Sequence, residues 1–406
     1  MALYHYRARN SRGQLNEGKL EAASPQAVAD NLLSAGLIPV EIKLAKAKAS
    51  SAIHWQQFVH GRVKLEALLI LCRQFSSLTR AGIPILHIVE GLRDTTEQKL
   101  LKAALNEVAS ALNQGQTLAN ALGAHPHIFN SLFISLVDVG ESTGQLEQAF
   151  NQLSHYYQLE LDTRRRVKAA TRYPMFVIIA MVIALVILNI YVIPAFSGIF
   201  AGLGADLPWT TRFLISSSEF FSHYILHILV LLLLAGFLLW RYVHTPKGQL
   251  RWHTLVLRIP ILGPLINRIL LARFCRSFAM MLSAGVPIVR VLTLAGTATG
   301  NAYLTRAILN MGEELASGSS LSRVASDSGV FTPLILQMFK VGEETGRVDH
   351  MVMEAGRFYE EEVDYDITNL TAKIEPILIV VIAAMVLVLA LGIFTPMWDM
   401  LDLIQQ

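Results

Sequence analysis

The chain has 406 residues, more than one ordinary hydrophobic core holds, and this length fits two or three domains. Apolar residues make up 53% and charged residues only 16%, which is unusually apolar for a soluble protein. The formal net charge of +3 is too small to predict a nucleic-acid partner. The start of the chain lacks the apolar segment of a cleaved signal peptide, so none is expected. Cys72 and Cys275 are expected to be small core residues rather than a disulfide or metal ligands.

Residues 1–45 predict a small N-terminal α/β module. A helix is expected from Ser24-Pro25, where serine caps and proline fits the first turn, to Gly36. Residues 46–64 are rich in Lys, Ala and Ser and predict a linker. The module is too small for a sizeable core of its own, so it is expected to dock on another part of the protein. Its strands are expected at 3–9, 18–22 and 37–42.

Residues 65–172 predict a helical domain. Apolar residues recur at close to a 3.6-residue period from Leu65 to Arg80, and Ala81-Gly82-Ile83-Pro84 ends that helix. The last helix, from about Gln145, meets no helix breaker before Pro174 and is expected to run into the membrane. Roughly six helices are therefore expected. Further breaks are expected at Gly115, Gly123–Pro126 and Gly140–Gly144.

The helical domain occurs twice, as copy one and copy two. Cys72-Arg73 returns as Cys275-Arg276 at an offset of 203, and Val139 to Gly144 returns as Val341 to Gly346 at an offset of 202. Each copy ends in a long apolar segment. The repeat predicts an all-α membrane protein with two homologous six-helix bundles, copy two covering 268–375.

Three apolar segments are long enough to cross a bilayer, which needs about 20 helical residues. The first two spans are separated by a loop at 198–219, a membrane-surface connector at 244–267 follows, and a tail at 397–406 ends the chain. Lys and Arg are abundant before the first span and after the second, but scarce in the loop and absent from the tail. This asymmetry predicts both copies and the N-terminus in the cytoplasm and the C-terminus in the periplasm. The spans are expected at 173–197, 220–243 and 376–396.

The sequence V-G-E-x-T-G occurs once in each copy. It predicts a helix that ends at its first glycine, in the left-handed conformation, with the threonine capping the next helix. The glutamates would then project from exposed tight turns, where they are candidate docking points for a partner. The candidate docking residues are Gly140, Glu141, Thr143, Gly144, Gly342, Glu343, Thr345 and Gly346.

The membrane-proximal segments of the two copies carry opposite charge. Copy one has a basic run that includes Arg164 and Arg165, whereas copy two has an acidic run that includes Asp364 and Asp366. The basic run also serves as a topology signal, but acidic residues contribute little to topology. The two runs are therefore expected to face each other, or the acidic run to face a neighbouring protomer or another partner.

No nucleotide-binding P-loop, G-x-S-x-G or H-E-x-x-H motif occurs, so catalysis is not expected, nor is a cofactor or metal. His223 and His227 stand four residues apart, a spacing that can hold a metal or haem, and a membrane enzyme built on them is one alternative. A permease or channel component for a small solute is another, although the apolar runs 174–194, 224–240 and 376–396 within the expected spans contain no Asp, Glu, Lys or Arg.

Several motifs together resemble one family. A-G-[IV]-P and V-G-E-x-T-G occur in both copies, Tyr173-Pro174 opens the first span, Glu375-Pro376 opens the last, and P-I-L-G-P-L lies at 260–265. The chain begins with Y-x-Y-x-A-x-x-x-x-G. This set resembles the inner-membrane platform protein of type IV pilus and type II secretion machines, the F-protein family, with the pilus branch favoured.

The resemblance implies a non-enzymatic role over nearly the whole chain. Proteins of this family contact a hexameric cytoplasmic ATPase and couple its turnover to the insertion of pilin or pseudopilin subunits. The implied partners also include other inner-membrane assembly proteins and further copies of the same chain, and the implied location is the bacterial inner membrane.

Overall fold

The computed structural model describes residues 2–9, 15–22, 28–29, 38–44, 63–195 and 209–404. The chain divides into two compact units, residues 1–62 and 63–406.

The first unit contains an antiparallel sheet with the strand order β2-β1-β3. Central strand β1, Ala2–Arg9, pairs with β2, Leu15–Ala22, and with β3, Ile38–Leu44, and a β-bulge lies between Arg7 and Ala8 in the second pairing. The three strands overlap the predicted ones, although β2 begins at Leu15 rather than at Gly18 and β3 runs on to Leu44. Apart from residues 28–29, 63 and 64, the predicted helix at 24–36 and the linker lie outside the described residues.

The second unit is helical, and its first part follows the predicted breaks. Left-handed Gly82 and Gly115, with φ of 75° and 83°, end the first and third helices, a conformation that glycine adopts without strain. Between residues 63 and 195 the structure contains six α-helices in this order: α1 Leu65–Arg80, α2 Ile85–Thr95, α3 Lys99–Asn113, α4 Leu118–Gly123, α5 Ser131–Thr143 and α6 Leu146–Ile187.

Within the described residues 209–404, two helices lie before copy two, and six more follow in the same order as in copy one. The first two are α7 Trp209–Val243 and α8 Pro246–Val256. The helices of copy two are α9 Leu262–Ser283, α10 Ile288–Ala298, α11 Ala302–Ala316, α12 Leu321–Asp327, α13 Pro333–Thr345 and α14 Val348–Ile404.

The two copies share one continuous hydrophobic core. In copy one Phe75 of α1 stacks on Phe150 of α6 with ring centroids 4.3 Å apart. In copy two the rings of Phe278 and Phe339 meet edge to face at 5.6 Å. Cys72 and Cys275 lie fully buried and unpaired in this core, as predicted. Burial raises the pKa of both thiols above the ordinary value.

Three helices are long and apolar enough to cross a membrane. The structure corrects three of the predicted bounds. Residues 209–219, predicted as loop, form the first turns of α7, and the predicted tail belongs to α14 as far as Ile404. Copy two begins at Leu262 rather than at 268, after a break in which Ile261 takes a positive φ of 71°. The candidate spans lie within Leu146–Ala195, Leu226–Val243 and Val348–Val388.

Both α6 and α14 pass directly from a copy into an apolar segment. Pro174 lies inside α6 without ending it, as predicted. Near its outer end α6 gives way to a π-helical turn, Leu188–Val192. The two helices pack side by side, and Val363 and Ile367 of α14 form a small apolar cluster with Ala170 of α6.

Candidate functional site at the contact between the two copies

The V-G-E-x-T-G motifs form the last turns of α5 and α13. Helix α5 runs through Gly140 to Thr143, and the left-handed residue is Gly144, with φ of 72°. Copy two repeats this with Gly346, whose φ is 70°. The prediction that Gly140 and Gly342 end the helices is therefore wrong, because the later glycine of each motif has that conformation.

The earlier glycines allow close contact between neighbouring helices. A Cβ atom on Gly140 would lie 2.7 Å from the Cβ of Ala149 on α6, and one on Gly342 would lie 2.7 Å from the Cα of Val348 on α14. Any larger residue would push these helices apart. The glycines thus fix the angle between each short helix and the long helix that enters the membrane.

The threonines of the two motifs do not cap the following helices, contrary to the prediction. The Thr143 hydroxyl donates a hydrogen bond of 2.7 Å to the carbonyl of Val139, one turn back in the same helix. The Thr345 hydroxyl donates in the same way to Val341, also at 2.7 Å. Both side chains therefore stabilise the ends of their own helices.

Glu141 caps another helix of its own copy. Its two carboxylate oxygens accept hydrogen bonds from the backbone N–H groups of Leu118 and Ala119, at 2.7 Å and 2.9 Å. These groups are the first N–H donors of α4, which have no partner within that helix. A carboxylate at a helix N-terminus also interacts favourably with the helix dipole.

Glu343 repeats this arrangement in copy two. It accepts from the N–H groups of Leu321 and Ser322, at 2.9 Å and 3.1 Å, and from the Ser322 hydroxyl at 2.6 Å. Partial burial raises the pKa of Glu343, but the hydrogen bonds from Ser322 and Leu321 outweigh it, so the pKa lies below its ordinary value. Both glutamates therefore cap helices of their own copies. The sequence predicted them only as exposed carboxylates that dock a partner.

The basic residues Arg164 and Arg165 contact side chains of copy one. The Arg164 Nε lies 2.8 Å from Oε1 of Glu160, one turn earlier in α6. The Arg165 Nη2 lies 3.7 Å from Oε1 of Glu66 on α1. Neither forms an ion pair with the acidic run of copy two among the pairs that the described residues show.

The acidic residues Asp364 and Asp366 have different partners. Asp364 forms an ion pair with Arg166, which joins α14 to α6. Asp366 is buried and pairs with Arg268, whose Nη2 also lies 3.2 Å from Glu362. The two membrane-proximal helices thus meet, but through Arg166 rather than through Arg164 or Arg165.

The most buried charged contact between the copies joins α6 to α9. Both carboxylate oxygens of Glu160 accept from the Arg273 guanidinium, at 2.8 Å and 3.0 Å, and the Glu160 side chain is only 8% exposed. Arg273 also donates to the carbonyl of Thr299 at 2.8 Å. Such a paired, bidentate contact gives the junction of the copies a fixed orientation.

A second contact occurs once in each copy. Arg276 donates from its Nε to Glu360 at 2.8 Å, and the equivalent Arg73 donates to Gln158 at 3.0 Å. In both cases the first helix of a copy is bound to its last, membrane-entering helix. The repeat therefore preserves this contact while replacing a glutamine by a charged glutamate.

These residues surround a cleft of ≈ 70 Å³ between α6, α9 and α14, which includes Glu160, Arg166, Arg273 and Asp364. Tyr156 of α6 is 5% exposed, and its pKa is raised mainly by burial, against the opposing influence of Arg273. The cleft is lined by side chains of both signs, most of which are paired, so its chemistry favours a structural junction over catalysis.

Sequence reasoning missed Glu160, Arg273 and Arg276. Arg276 stands in a Cys-Arg pair that the repeat itself displays, and that repetition could have marked it. Glu160 likewise returns as Glu362, but Arg273 offers no such signal, because Ile70 occupies its equivalent position.

A polar contact joins α6 to α7 within the apolar region. Asn189, in the π-helical turn, donates to the carbonyl of Leu185 at 2.9 Å. The hydroxyl of Ser217 donates to the Asn189 side chain at 3.4 Å, and that of Ser218 donates to its backbone carbonyl. The extra residue of the π-turn thus leaves a carbonyl free to bind the neighbouring helix.

The histidines His223 and His227 both contact the ring of Tyr224, at centroid distances of 4.9 Å and 5.9 Å. Among the residues that the structure describes, no group of three or more His, Cys, Asp or Glu side chains is placed to hold a metal ion.

Comparison with known proteins gives matches along the whole chain. The family model for the type II secretion system protein F matches residues 71–194 and 274–396, and the model for the N-terminal domain of that protein matches residues 1–43. The type IV pilus assembly protein PilC of Myxococcus xanthus is 31% identical over 406 residues, 100% of this chain and 96% of the relative. PilC of Thermus thermophilus is 31% identical over 99% of this chain and 98% of its own. The type II secretion system protein F of Aeromonas hydrophila is 30% identical over 95% and 99%.

Proposed function

The chain belongs to the family of the type II secretion system protein F, and we propose that it is the inner-membrane platform of a type IV pilus or type II secretion machine. In this role it couples a cytoplasmic ATPase to the assembly of pilin or pseudopilin subunits, as a homo-oligomer and without catalysing a reaction itself. Identities of 31% to pilus proteins and 30% to a secretion protein do not separate the two systems. We favour the pilus branch as a proposal that rests on the sequence resemblance.

The observation that carries the proposal is the continuity of each copy with a membrane helix. Helix α6 is 42 residues long and helix α14 is 57, and each begins in a helical copy and continues through an apolar segment. The buried Glu160–Arg273 pair joins α6, ahead of its apolar segment, to α9 of copy two. A displacement imposed on the copies by a partner would therefore reach the membrane without passing through a flexible loop.

Coupling to a cytoplasmic ATPase requires both copies on the cytoplasmic side. The Lys and Arg asymmetry supports this orientation, with the C-terminus in the periplasm. Reporter fusions after residues 60, 207, 300 and 404 are expected to read inside, outside, inside and outside. A cytoplasmic reading at 404 would overturn the orientation and, with it, the equivalence of the two spans that follow the copies.

We propose the ends of α5 and α13 as the surface that meets the ATPase. Since the carboxylates of Glu141 and Glu343 bind backbone groups, they would shape this surface, and their exposed neighbours Ser142 and Glu344 would contact the partner. Substituting the neighbours therefore tests docking without removing a cap.

The full chain, purified in detergent, should retain the hexameric ATPase of its own organism in a pull-down. Glu344→Arg is expected to reduce retention, whereas Glu313→Arg, an equally exposed change on α11, should not. Equal retention by both variants would remove the docking surface. Failure of the unaltered chain to retain the ATPase, together with solute flux in vesicles, would favour a permease instead.

A further inference from the structure

The contact between the two copies uses one face of α6 and one face of α9. Glu160 on α6 binds Arg273 on α9, and both helices line the cleft described above. The α6 stripe consists of Tyr156, Leu159, Glu160 and Thr163, all buried or half-buried. The α9 stripe consists of Arg273, Arg276, Ser277 and Met280, also buried or half-buried.

The repeat places an equivalent of the α9 stripe on α1, and it is exposed. At the offset of 203, Arg273 corresponds to Ile70, which is 53% exposed. The next equivalents along the helix are exposed as well. The α1 stripe thus consists of Ile70, Arg73, Gln74 and Ser77.

The repeat also places an equivalent of the α6 stripe on α14. At the offset of 202, buried Tyr156 corresponds to Phe358, which is 46% exposed, and Thr163 corresponds to Tyr365, which is 66% exposed. The α14 stripe consists of Phe358, Glu361, Glu362 and Tyr365, all exposed or half-buried.

We propose that the α1 stripe of one chain binds the α14 stripe of a second copy of this chain. Single exposed apolar side chains are common on protein surfaces. Here, however, large apolar residues are exposed on both the α1 stripe and the α14 stripe. The repeat equivalents of these two stripes lie on α9 and α6, which contact each other within the chain. This inference deepens the homo-oligomer of the proposed function, but it rests on the repeat rather than on any role in pilus or secretion assembly.

The charges of the two stripes support the pairing. The α1 stripe carries Arg73 and the α14 stripe carries Glu361. Their neighbours Arg80 and Glu362 already pair with Glu147 and Arg268 of the same chain. Opposite potentials of this kind favour the correct orientation of two surfaces. Ile70 replaces the arginine of the intrachain contact, so the centre of the new interface is apolar and its charges lie at the edge.

The peripheral contacts of the two interfaces differ. Arg290 of α10 lies 3.9 Å from Asp138 of α5, but their equivalents are His87 and Lys340, which do not have opposite charges. The proposed interface is therefore limited to the two stripes.

An interface between unlike faces leaves one free face at each end of every pair of chains. It closes into a ring if the rotation from chain to chain allows it. Helices α6 and α14 enter the apolar region side by side, and Arg166 pairs with Asp364 at the same level. The two copies therefore send their last helices into the apolar region in the same direction, as successive chains of a ring in one membrane also must.

Site-specific disulfide formation in membranes tests the proposal with the full chain. One tagged chain carries Ile70→Cys and a differently tagged chain carries Phe358→Cys, while the native cysteines are both buried. A cross-linked species with both tags is expected on mild oxidation when the two are co-expressed. Neither variant alone should form it, and Ile70→Cys with Tyr303→Cys, a similarly exposed apolar position on α11, should not either.

Charge reversal tests whether the cross-linked yield depends on the charges of the two stripes as well as on the positions of the introduced cysteines. Arg73→Glu beside Ile70→Cys, or Glu361→Arg beside Phe358→Cys, should lower the cross-linked yield at least about threefold. Combining the two reversed chains should restore it. Similar membrane abundance and melting temperature of all variants establishes that they fold.

Four results of the cross-linking assay would overturn the proposal. They are no mixed cross-link, a cross-link equal to the Tyr303 control, efficient dimers of either single variant, or an intrachain cross-link when both cysteines are in one chain. An introduced thiol in the Ile70→Cys chain that neither cross-links nor reacts with a soluble thiol reagent would also overturn it, because the chain itself then covers α1. The assay contains no ATPase or pilin, so its failure leaves the proposed function standing.

Discussion

Replacing Arg273 by alanine should destabilise the protein more than any exposed charge change. The Glu160 side chain is 8% exposed and the Arg273 side chain 20%, and two hydrogen bonds join them. Arg273→Ala would leave the Glu160 carboxylate buried, with only the largely exposed Arg164 beside it. Breaking a buried ion pair by removing one partner costs about 3–5 kcal/mol. Because Arg164 compensates in part, we expect a loss of about 2–4 kcal/mol.

The comparison of single and double variants separates the ion pair from simple packing. Glu160→Leu combined with Arg273→Met removes both charges and keeps apolar volume, so its stability should lie close to that of the unaltered chain. Thermal unfolding of the full chain in detergent measures the difference, at about 2–4 °C per kcal/mol or less for a chain of this size. Arg323→Ala is the matched control, since its pair with Asp327 is exposed and 3.8 Å long, and it should change little.

The reasoning fails if Arg273→Ala melts within about 1 °C of the unaltered chain. It also fails if the double variant loses the sum of both single losses, because additive effects would show that Glu160 and Arg273 act independently.

Three further changes test other parts of the structure, the first two by the same melting assay. Glu343→Gln should destabilise copy two by about 1 kcal/mol at neutral pH. Folding lowers the pKa of Glu343, so its contribution to the free energy of unfolding is complete above the ordinary pKa of 4.5 and is lost as the pH falls through the lower folded value. A stability difference between Glu343→Gln and the unaltered chain that persists well below pH 4.5 would contradict the cap. Gly140→Ala should lower the free energy of unfolding by about 1–3 kcal/mol, because its Cβ would meet another carbon at 2.7 Å. The control Gly91→Ala, whose Cβ would have no atom within 4 Å, should be neutral or stabilising. Equal effects of the two changes would refute the close contact. Asp364→Arg should impair pilus or pseudopilus assembly in cells, and adding Arg166→Asp should restore part of it. The free energy of unfolding should change by no more than about 1 kcal/mol. Absence of rescue would assign Asp364 to another partner.

Local signals in the sequence predicted the helix order well. Gly82 and Gly115 take the left-handed conformation at the ends of two helices. Glycine adopts this conformation without strain whatever its surroundings, so its position in the sequence is enough to predict a helix end. The 3.6-residue period of α1 and the apolar segments follow from burial and bilayer thickness, which are also local properties.

The V-G-E-x-T-G motif shows where local reasoning becomes ambiguous. It contains two glycines, and either could end the helix. The choice depends on Ala149 of the next helix, which leaves no room for a side chain at Gly140. The role of Glu141 depends likewise on α4, more than 20 residues earlier in the chain, so exposure of the carboxylate could not be judged from the turn alone.

The charge pairing was predicted in kind but not in its members. Opposite runs in equivalent positions predicted that α6 and α14 meet, and they do. Which arginine faces Asp364 depends on the rotation of two helices about their axes, and a shift of one residue turns a side chain by about 100°. This is why Arg166 makes the contact that had been expected of Arg164 and Arg165.

The π-helical turn makes the two membrane-entering helices mechanically unequal. A π-turn has looser hydrogen bonding than an α-helix, and this one lies near the outer end of the first span, where Asn189 is held by two serines of α7. Over its 57 residues, about 85 Å at 1.5 Å per residue, α14 has no such interruption. If the machine tilts the copies as proposed, a tilt of copy two is expected to reach the far end of α14, whereas the same tilt of copy one is expected to be partly absorbed at the π-turn and passed to α7. Helix α14 is uninterrupted and α6 ends in a π-turn, so equal movements of the two similar copies would give displacements of unequal size in the membrane.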